Sequence, residues 1–334
     1  MSQSSTIPSS PHAGQPHAPL ADGTVVTLAA SGLSADLIES LTSEFARHGS
    51  VTQVQSAQFP TRAVGAEQIV PVPAARWAIS SPGREQAQNV SEITAALEAA
   101  TAPLTSDAEA APVTATVLPA SRRPGARAML LMDVDSTLID EEVIDLIARR
   151  AGRQAEVAAV TEAAMRGELD FAGSLHRRVA ALEGLPVSVF DEVLDAVHPT
   201  CGAGELLAAA ADRGWPRAAV SGGFRQVLTP LAARLGLTDH HANTLGVEDG
   251  LLTGTVQGAV VDGAAKARYL HETAAAYGVT AQQVIAIGDG ANDIDMTSAA
   301  GVGVAFCAKP ALEEHTTFSI RHRSLQLVSW ALGV

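Results

Sequence analysis

The sequence predicts a two-domain protein, a small α+β module followed by an α/β domain whose parallel sheet carries a helical cap. Three observations predict it. Short apolar runs at 129–132, 218–220 and 284–288 each end in chemistry-bearing residues, as the carboxyl ends of central parallel strands do. Between the first run and the second lie helical patterns stopped by Gly152, Gly167 and Gly184. Ahead of all of them, residues 23–119 alternate strand and helix patterns and hold no cluster of reactive residues.

In chain order, residues 1–22 carry Ser, Pro, His and Gly without apolar periodicity and read as a disordered tail rather than a signal peptide. Strands at 25–30, 51–59, 76–80 and 113–118, with helices at 35–47 and 90–99, give the strand–helix–strand–strand–helix–strand order of a ferredoxin-like module. The third strand is poorly signalled, because Pro71 and Pro73 precede it. Residues 119–125 read as a flexible linker. The second domain, 126–334, opens on the strand at 129–132. Helices at 141–151, 154–166, 171–183 and 187–197 then form a cap over about 140–198. The α/β pattern resumes with a helix at 224–235, a β-ribbon over 245–261 turning at Glu248-Asp249-Gly250, and a helix at 264–277.

With 334 residues and 47% hydrophobic content, the chain can bury a core in each of two domains. No apolar stretch is long enough to span a membrane. Two cysteines, Cys201 and Cys307, make no disulfide framework and fit a reducing cytoplasm. A net charge of −14 argues against nucleic acid or an anionic membrane as partner. It also means that a phosphate site must be locally cationic. The 22 basic residues include only two lysines, Lys266 and Lys309. Lys266 falls near a helix start, where the dipole disfavours a cation, so a bound anion would explain it. Lys309, beside Pro310, reads as a surface residue.

Asp133-Val134-Asp135-Ser136-Thr137 follows the first strand. In extended backbone residues 133 and 135 point the same way, so one site can use both carboxylates. A lone pair of this kind also caps strands and begins turns; its repetition at three strand ends is what makes it informative. Ser221-Gly222-Gly223 before a helix suits phosphate, since glycines admit close approach and a helix N-terminus offers N–H groups. Asp289 and Asp293, with Asn292 between them, offer the hard oxygen ligands Mg²⁺ prefers, although an acidic turn capping a helix reads the same way. On the helix at 171–183, Arg178 shares the face of Phe171, Leu175, Val179 and Leu182, while Arg177 points away. An arginine there should meet a carboxylate. Glu142 lies at the edge of its helix's apolar face and Glu141 faces out. Glu142 and Arg178 either pair with each other or read the two charged ends of an amino acid.

These motifs, with Gly288-Asp289-Gly290-Ala291-Asn292-Asp293 and Ala305-Phe306-Cys307-Ala308-Lys309-Pro310, resemble the phosphoserine phosphatases of the haloacid dehalogenase superfamily over about 126–334. The N-terminal module resembles an ACT-like regulatory or assembly domain. The resemblance implies a Rossmann-like sheet with a helical cap and Mg²⁺-dependent hydrolysis of O-phospho-L-serine, the last step of serine biosynthesis. It implies Asp133 as nucleophile and Asp135 as general acid/base. Mg²⁺ would be held by Asp133, the Asp135 carbonyl and Asp289, with Asp293 behind them. Ser221, Gly222 and Lys266 would hold the phosphoryl group, and Asn292 would contact substrate. Glu142 would bind the ammonium and Arg178 the carboxylate, with Met165 and Phe171 lining the lid.

A phosphotransferase, or a phosphatase for another small phosphomonoester, shares the first half-reaction. A phospho-accepting regulatory module lacks the second aspartate and the cap. An amino-acid effector at the N-terminal domain and a homo-oligomer stay open. Every catalytic candidate lies after Gly125, so the N-terminal module is expected to be dispensable for chemistry.

Overall fold

The computed structural model describes residues 23–62, 68–82, 86–105, 111–166 and 168–334. The tail expected over 1–22 and the helix stop expected at Gly167 lie outside the described residues.

The N-terminal domain runs β1 (Thr24–Ala29), α1 (Ala35–Phe45), β2 (Ser50–Thr61), β3 (Val70–Ser80), α2 (Gln86–Thr105) and β4 (Thr114–Leu118). Its strands form an antiparallel sheet in the order β2-β3-β1-β4, the ferredoxin-like arrangement. α1 begins where Ser34 accepts a hydrogen bond from the Leu37 amide at 3.2 Å. β3 starts at Val70, not at residue 76. Pro71 and Pro73 pair with β2 beyond the Ala29–Ala74 end of the β1 ladder, where the Pro73 carbonyl still accepts the Ala30 amide at 3.2 Å, so their missing N–H groups cost no ladder bond on that side.

Alternation along the strands gives this sheet two apolar faces. Val26, Leu28, Trp77 and Ile79 pack under Leu41 and Phe45 of α1 and Ile93 and Leu97 of α2. Val25, Ala29, Phe59, Ala74 and Leu118 turn the other way, into a core shared with the second domain.

The second domain opens with β5 (Met129–Met132) and the cap helices α3 (Val143–Arg150), α4 (Gln154–Met165), α5 (Phe171–Ala180) and α6 (Val189–Ala196). It continues through α7 (Ala203–Asp212), β6 (Arg217–Phe224), α8 (Arg225–Leu235), β7 (Asp239–Glu248), β8 (Leu251–Gln257) and α9 (Gly263–Ala276). β9 (Val284–Gly288), α10 (Ile294–Ala299), β10 (Val302–Phe306), α11 (Pro310–Glu313), β11 (Phe318–Ile320) and α12 (Gln326–Leu332) complete it. The seven strands lie in the order β11-β10-β9-β5-β6-β7-β8, parallel except for β8. β5, buried at every residue, sits centrally with β6 on one side and β9 on the other. The chain thus leaves β5 in opposite directions, and the crevice for a ligand opens where these carboxyl ends diverge.

Two short segments tie the cap to the sheet. Ile139 bridges Pro199, the Asp140 amide donates to the His198 carbonyl and the Thr200 amide to that of Leu138, both at 3.0 Å. At the domain junction α12 carries Leu327, Val328 and Trp330 into the shared core. The Arg76 guanidinium, 1% exposed, lies 3.8 Å from the centroid of the Trp330 ring and donates to the Trp330 carbonyl at 3.0 Å. Phe59 meets the same ring edge to face at 5.1 Å. The linker expected to be flexible therefore joins domains that already share a core. No helix among the described residues is long and apolar enough to cross a membrane.

Candidate active site

Asp133 follows β5 directly and Asp289 follows β9, so hydrogen bonding of neighbouring strands brings them together. Between Asp135 and Leu138 the chain turns sharply. Ser136 takes φ 57, a left-handed conformation that costs a serine strain, and its hydroxyl donates to Glu142 Oε1 at 2.8 Å. The turn brings the Asp135 carboxylate back over the strand end. Its Oδ1 accepts from the Val143 amide at 3.2 Å, and Ser221 Oγ lies 3.4 Å from its Oδ2.

Ser221, Gly222 and Gly223 end β6 at a register shift against β7 rather than standing clear of it, and α8 begins at Arg225. Their small size is required here. A Cβ on Gly223 would fall 2.7 Å from Asp135 Oδ2, and one on Gly222 would fall 2.8 Å from the Phe171 ring of the cap.

Lys266, on α9, is wholly buried. Its Nζ lies 2.8 Å from Asp133 Oδ1 and 2.7 Å from Asp293 Oδ1. The anion its position called for is supplied first by the protein's own carboxylates. Asp293 is fixed in turn, because its Oδ2 accepts the Asp289 and Gly290 amides at 3.1 Å each.

Carboxylates outnumber ammonium groups in this cluster. Burial, with Asp293 beside it, pushes the Asp133 carboxyl well above its ordinary range, against the pull of Lys266. Burial and Asp293 likewise push Asp289 up to about 6. Burial also works against the charge on Lys266, but Asp133 and Asp293 outweigh it and hold the lysine protonated above its usual range. Asp135 is pushed up to about 7 by burial and then by Glu142, which suits a group that must carry a proton near neutrality.

Carboxylate oxygens of Asp133, Asp289 and Asp293 lie within 4.8 Å of one another. Hard oxygens gathered this closely, with burial and neighbouring carboxylates raising Asp133 and Asp289, form a donor set that fits a divalent cation.

A cavity of about 800 Å³ opens above these groups. Asp133, Asp135, Gly222, Asp289 and Asn292 line its floor, and Glu142, Phe171 and Arg178 line its rim on the cap. Ser221, Lys266 and Asp293 stand behind the floor. Met165 closes α4; its side chain lies outside what is described.

Arg178 shares the face of the buried Leu175 and Val179, and Arg177 is exposed, as the helix pattern predicted. Among the described residues Glu142 and Arg178 form no ion pair with each other, and Arg178 Nε is buried without a partner. The two charges face the cavity separately.

Two expectations need correction. Glu142 caps α3 rather than lying inside it. Glu141 does not face out but accepts from the His198 amide at 2.9 Å and meets its Nδ1 at 2.7 Å. Lys309 is exposed, as read, and it also lines the cavity, with its amide donating to the Asp289 carbonyl at 3.1 Å. Sequence reasoning also missed Thr137, whose hydroxyl donates to Asp289 at 3.3 Å, and the cavity-lining Asp262 and Asp295. The rarity of lysine was a usable signal for Lys309; ordinary helix-capping composition hid Asp262, which caps α9.

The model of the haloacid dehalogenase-like hydrolases matches residues 130–298, about half of the chain. The chain is 50% identical over 206 residues to phosphoserine phosphatase SerB2 of Mycobacterium tuberculosis, a match covering 62% of this chain and 50% of that protein. It is 46% identical over 203 residues to the phosphoserine phosphatase of Lactococcus lactis, covering 61% of this chain and 94% of that one. A solved structure of a probable phosphoserine phosphatase from Vibrio cholerae superposes with a TM-score of 0.70 at 29% identity, over 93% of this chain and 86% of the other. The chain spans about half the length of the first curated relatives it matches, 50% and 56%.

Proposed function

The chain belongs to the haloacid dehalogenase-like hydrolases, and from that premise we propose that it hydrolyses O-phospho-L-serine to L-serine and phosphate. The observation that carries this reading is the separation of Glu142 and Arg178 on the cap rim, each facing the cavity and unpaired with the other. A zwitterion satisfies both at once, its carboxylate on the unmet guanidinium and its ammonium on the glutamate. The similarity to proteins named phosphoserine phosphatases supports it.

Asp133 has Oδ1 occupied by Lys266 and by the Val134 amide at 2.7 Å, which directs Oδ2 to the substrate. Oδ2 attacks phosphorus as the bond from phosphorus to the serine oxygen breaks, giving an aspartyl-phosphate. Asp135 gives its proton to the departing serine oxygen. It then takes one from a water molecule, whose attack breaks the bond between Asp133 and phosphorus and releases phosphate. Lys266 and Ser221 stabilise charge on the phosphoryl oxygens, and Gly222 lets them approach the backbone. Met165 and Phe171 would close the lid over the substrate and Asn292 would touch it.

Mg²⁺ would be held by Asp133, Asp289 and the Asp135 carbonyl with Asp293 behind, where it would offset charge between nucleophile and phosphoryl group. The reaction would end a serine biosynthesis route in the cytoplasm. The N-terminal domain would act as an ACT-like regulatory or assembly unit, with an amino acid as effector.

Phosphate release from a panel of small phosphomonoesters, with Mg²⁺ and with EDTA, tests the activity. Arg178→Ala should weaken use of phosphoserine by about 2–5 kcal/mol yet hardly change phosphoethanolamine, which has no carboxylate. Equal loss on both would refute the substrate assignment.

A further inference from the structure

Asp140 lies in the first of the two segments that hinge the cap, and its carboxylate is gripped twice. Arg323, in the turn after β11, donates from Nε to Oδ1 at 2.7 Å, and its terminal nitrogens donate to the carbonyls of Ser136 and Ile139 at 3.0 and 3.1 Å. Arg62, one residue past β2 of the N-terminal domain, holds Oδ2. The second hinge segment, at its end, is touched by the same stretch, because Cys201 Sγ donates to the Pro60 carbonyl at 3.3 Å. A stretch of three residues in the N-terminal domain therefore contacts both segments through which the cap must move.

From Asp140 the route to the chemistry is short. Arg323 holds both Asp140 and the Ser136 carbonyl, and the Ser136 hydroxyl holds Glu142. Asp140 side-chain exposure is 11% and that of Arg62 24%, so the pair is largely sheltered from screening. Arg323 remains paired with Asp140 if Arg62 is lost, so the hinge loses one restraint without stranding a buried charge.

We propose that Arg62 is a positioning residue for the cap: by holding Asp140 it fixes the hinge, and through it the N-terminal domain sets how Glu142 and Arg178 meet the substrate. The inference rests on the phosphoserine phosphatase reading for its kinetic consequence and on geometry alone for the hinge. Hinge residues of this kind lie away from the chemistry and alter substrate use by changing closure.

The test uses the full chain carrying Arg62→Ala, with Arg62→Lys as the conservative control. Hydrogen exchange should quicken at the Asp140 and Thr200 amides and stay unchanged in β5 and β9. KM for phosphoserine should rise about fivefold, a coupling of about 1 kcal/mol, while turnover of nitrophenyl phosphate, which offers neither ammonium nor carboxylate, is unchanged. Arg62→Lys should recover most of the loss. Arg62→Ala added to Asp140→Asn should cost nothing further, since both remove one contact. Unchanged exchange at the hinge, or equal losses on both substrates, overturns the proposal. If the parent chain hydrolyses neither substrate, the phosphatase reading fails, and exchange at Asp140 and Thr200 still decides the hinge.

Discussion

Lys266 Nζ lies 2.8 Å from Asp133 Oδ1, with the lysine side chain wholly out of solvent and the aspartate side chain 6% exposed. A buried ammonium is stable only while its carboxylates stay charged and close, and Asp293 at 2.7 Å completes the arrangement. The pair therefore ties the proposed nucleophile to the fold. Removing one partner leaves a charge with no compensation, which commonly costs about 3–5 kcal/mol. Asp293→Asn should lower stability on that scale, read as a drop in the denaturant midpoint. Lys266→Met should lower kcat by about 10²–10³, the scale for losing one preorganised charge on a developing oxyanion. A stable, fully active Lys266→Met enzyme would count against both roles.

Asp135 gives a pH signature. Burial and Glu142 hold its carboxyl at about 7, so the protonated form in which it would protonate the leaving oxygen is lost as pH rises through that value. Phospho-enzyme formation should fall on the alkaline side. Glu142→Gln removes a neighbouring negative charge and should move that limb to lower pH. Glycerol phosphate, which has no ammonium for Glu142 to bind, isolates the electrostatic effect. A limb that does not move would remove Glu142 from the explanation.

Cation binding at Asp133 and Asp289, with Asp293 behind them, should release protons. Asp289 is held at about 6 and Asp133 above its ordinary range by burial and Asp293, and a bound divalent cation favours their charged forms. Calorimetric titration of Mg²⁺ near pH 6 in buffers of different ionisation enthalpy should show that release, and the melting temperature should rise with Mg²⁺ concentration. EDTA should abolish turnover and reverse the thermal shift. Heats independent of the buffer would contradict the assignment.

His322 makes the domain junction acid-sensitive. Its Nδ1 lies 2.9 Å from Thr114 Oγ1 of β4, and burial pushes its pKa down to about 4. The unfolded chain binds this proton near pH 6.5 and the folded chain only near 4. Its contribution is thus fully present above pH 6.5 and lost as pH falls toward 4. The raised carboxylates Asp133, Asp135 and Asp289 act in the opposite sense. The comparison must therefore be between the parent chain and His322→Gln, whose melting temperature should fall less between pH 6.5 and 4.5. Parallel curves would exclude the histidine.

The three strand ends were legible because apolar runs, glycines and carboxylates coincide there locally. Arg178 was legible from its place on a helical stripe, and Lys266 from the scarcity of lysine. The Arg62–Asp140–Arg323 cluster was not, because its members lie 78 and 183 residues apart and no periodicity links them. β3 was half-hidden by Pro71 and Pro73, whose harmlessness depends on β1 ending at Ala29, a tertiary fact. The shared core escaped notice because the apolar alternation of β1 and β3 does not say which domain covers each face.

That shared core revises what truncation should do. Division of residues alone suggests that a chain lacking 1–121 keeps its chemistry, since every proposed catalytic group lies beyond Gly125. In the structure the same deletion uncovers Trp330, 1% exposed, together with Leu327 and Val328, and removes Arg76 from the tryptophan ring. A contiguous apolar patch of this kind drives association. The truncated chain should therefore melt at lower temperature and elute as larger species on a sizing column. Its correctly folded fraction should turn over nitrophenyl phosphate within roughly tenfold of the full chain, a window of about 1.4 kcal/mol. Its KM for phosphoserine should rise as in Arg62→Ala, because the same hinge contact is gone. A truncated monomer with the parent melting temperature and the parent KM would show that the N-terminal domain neither completes the core nor holds the cap.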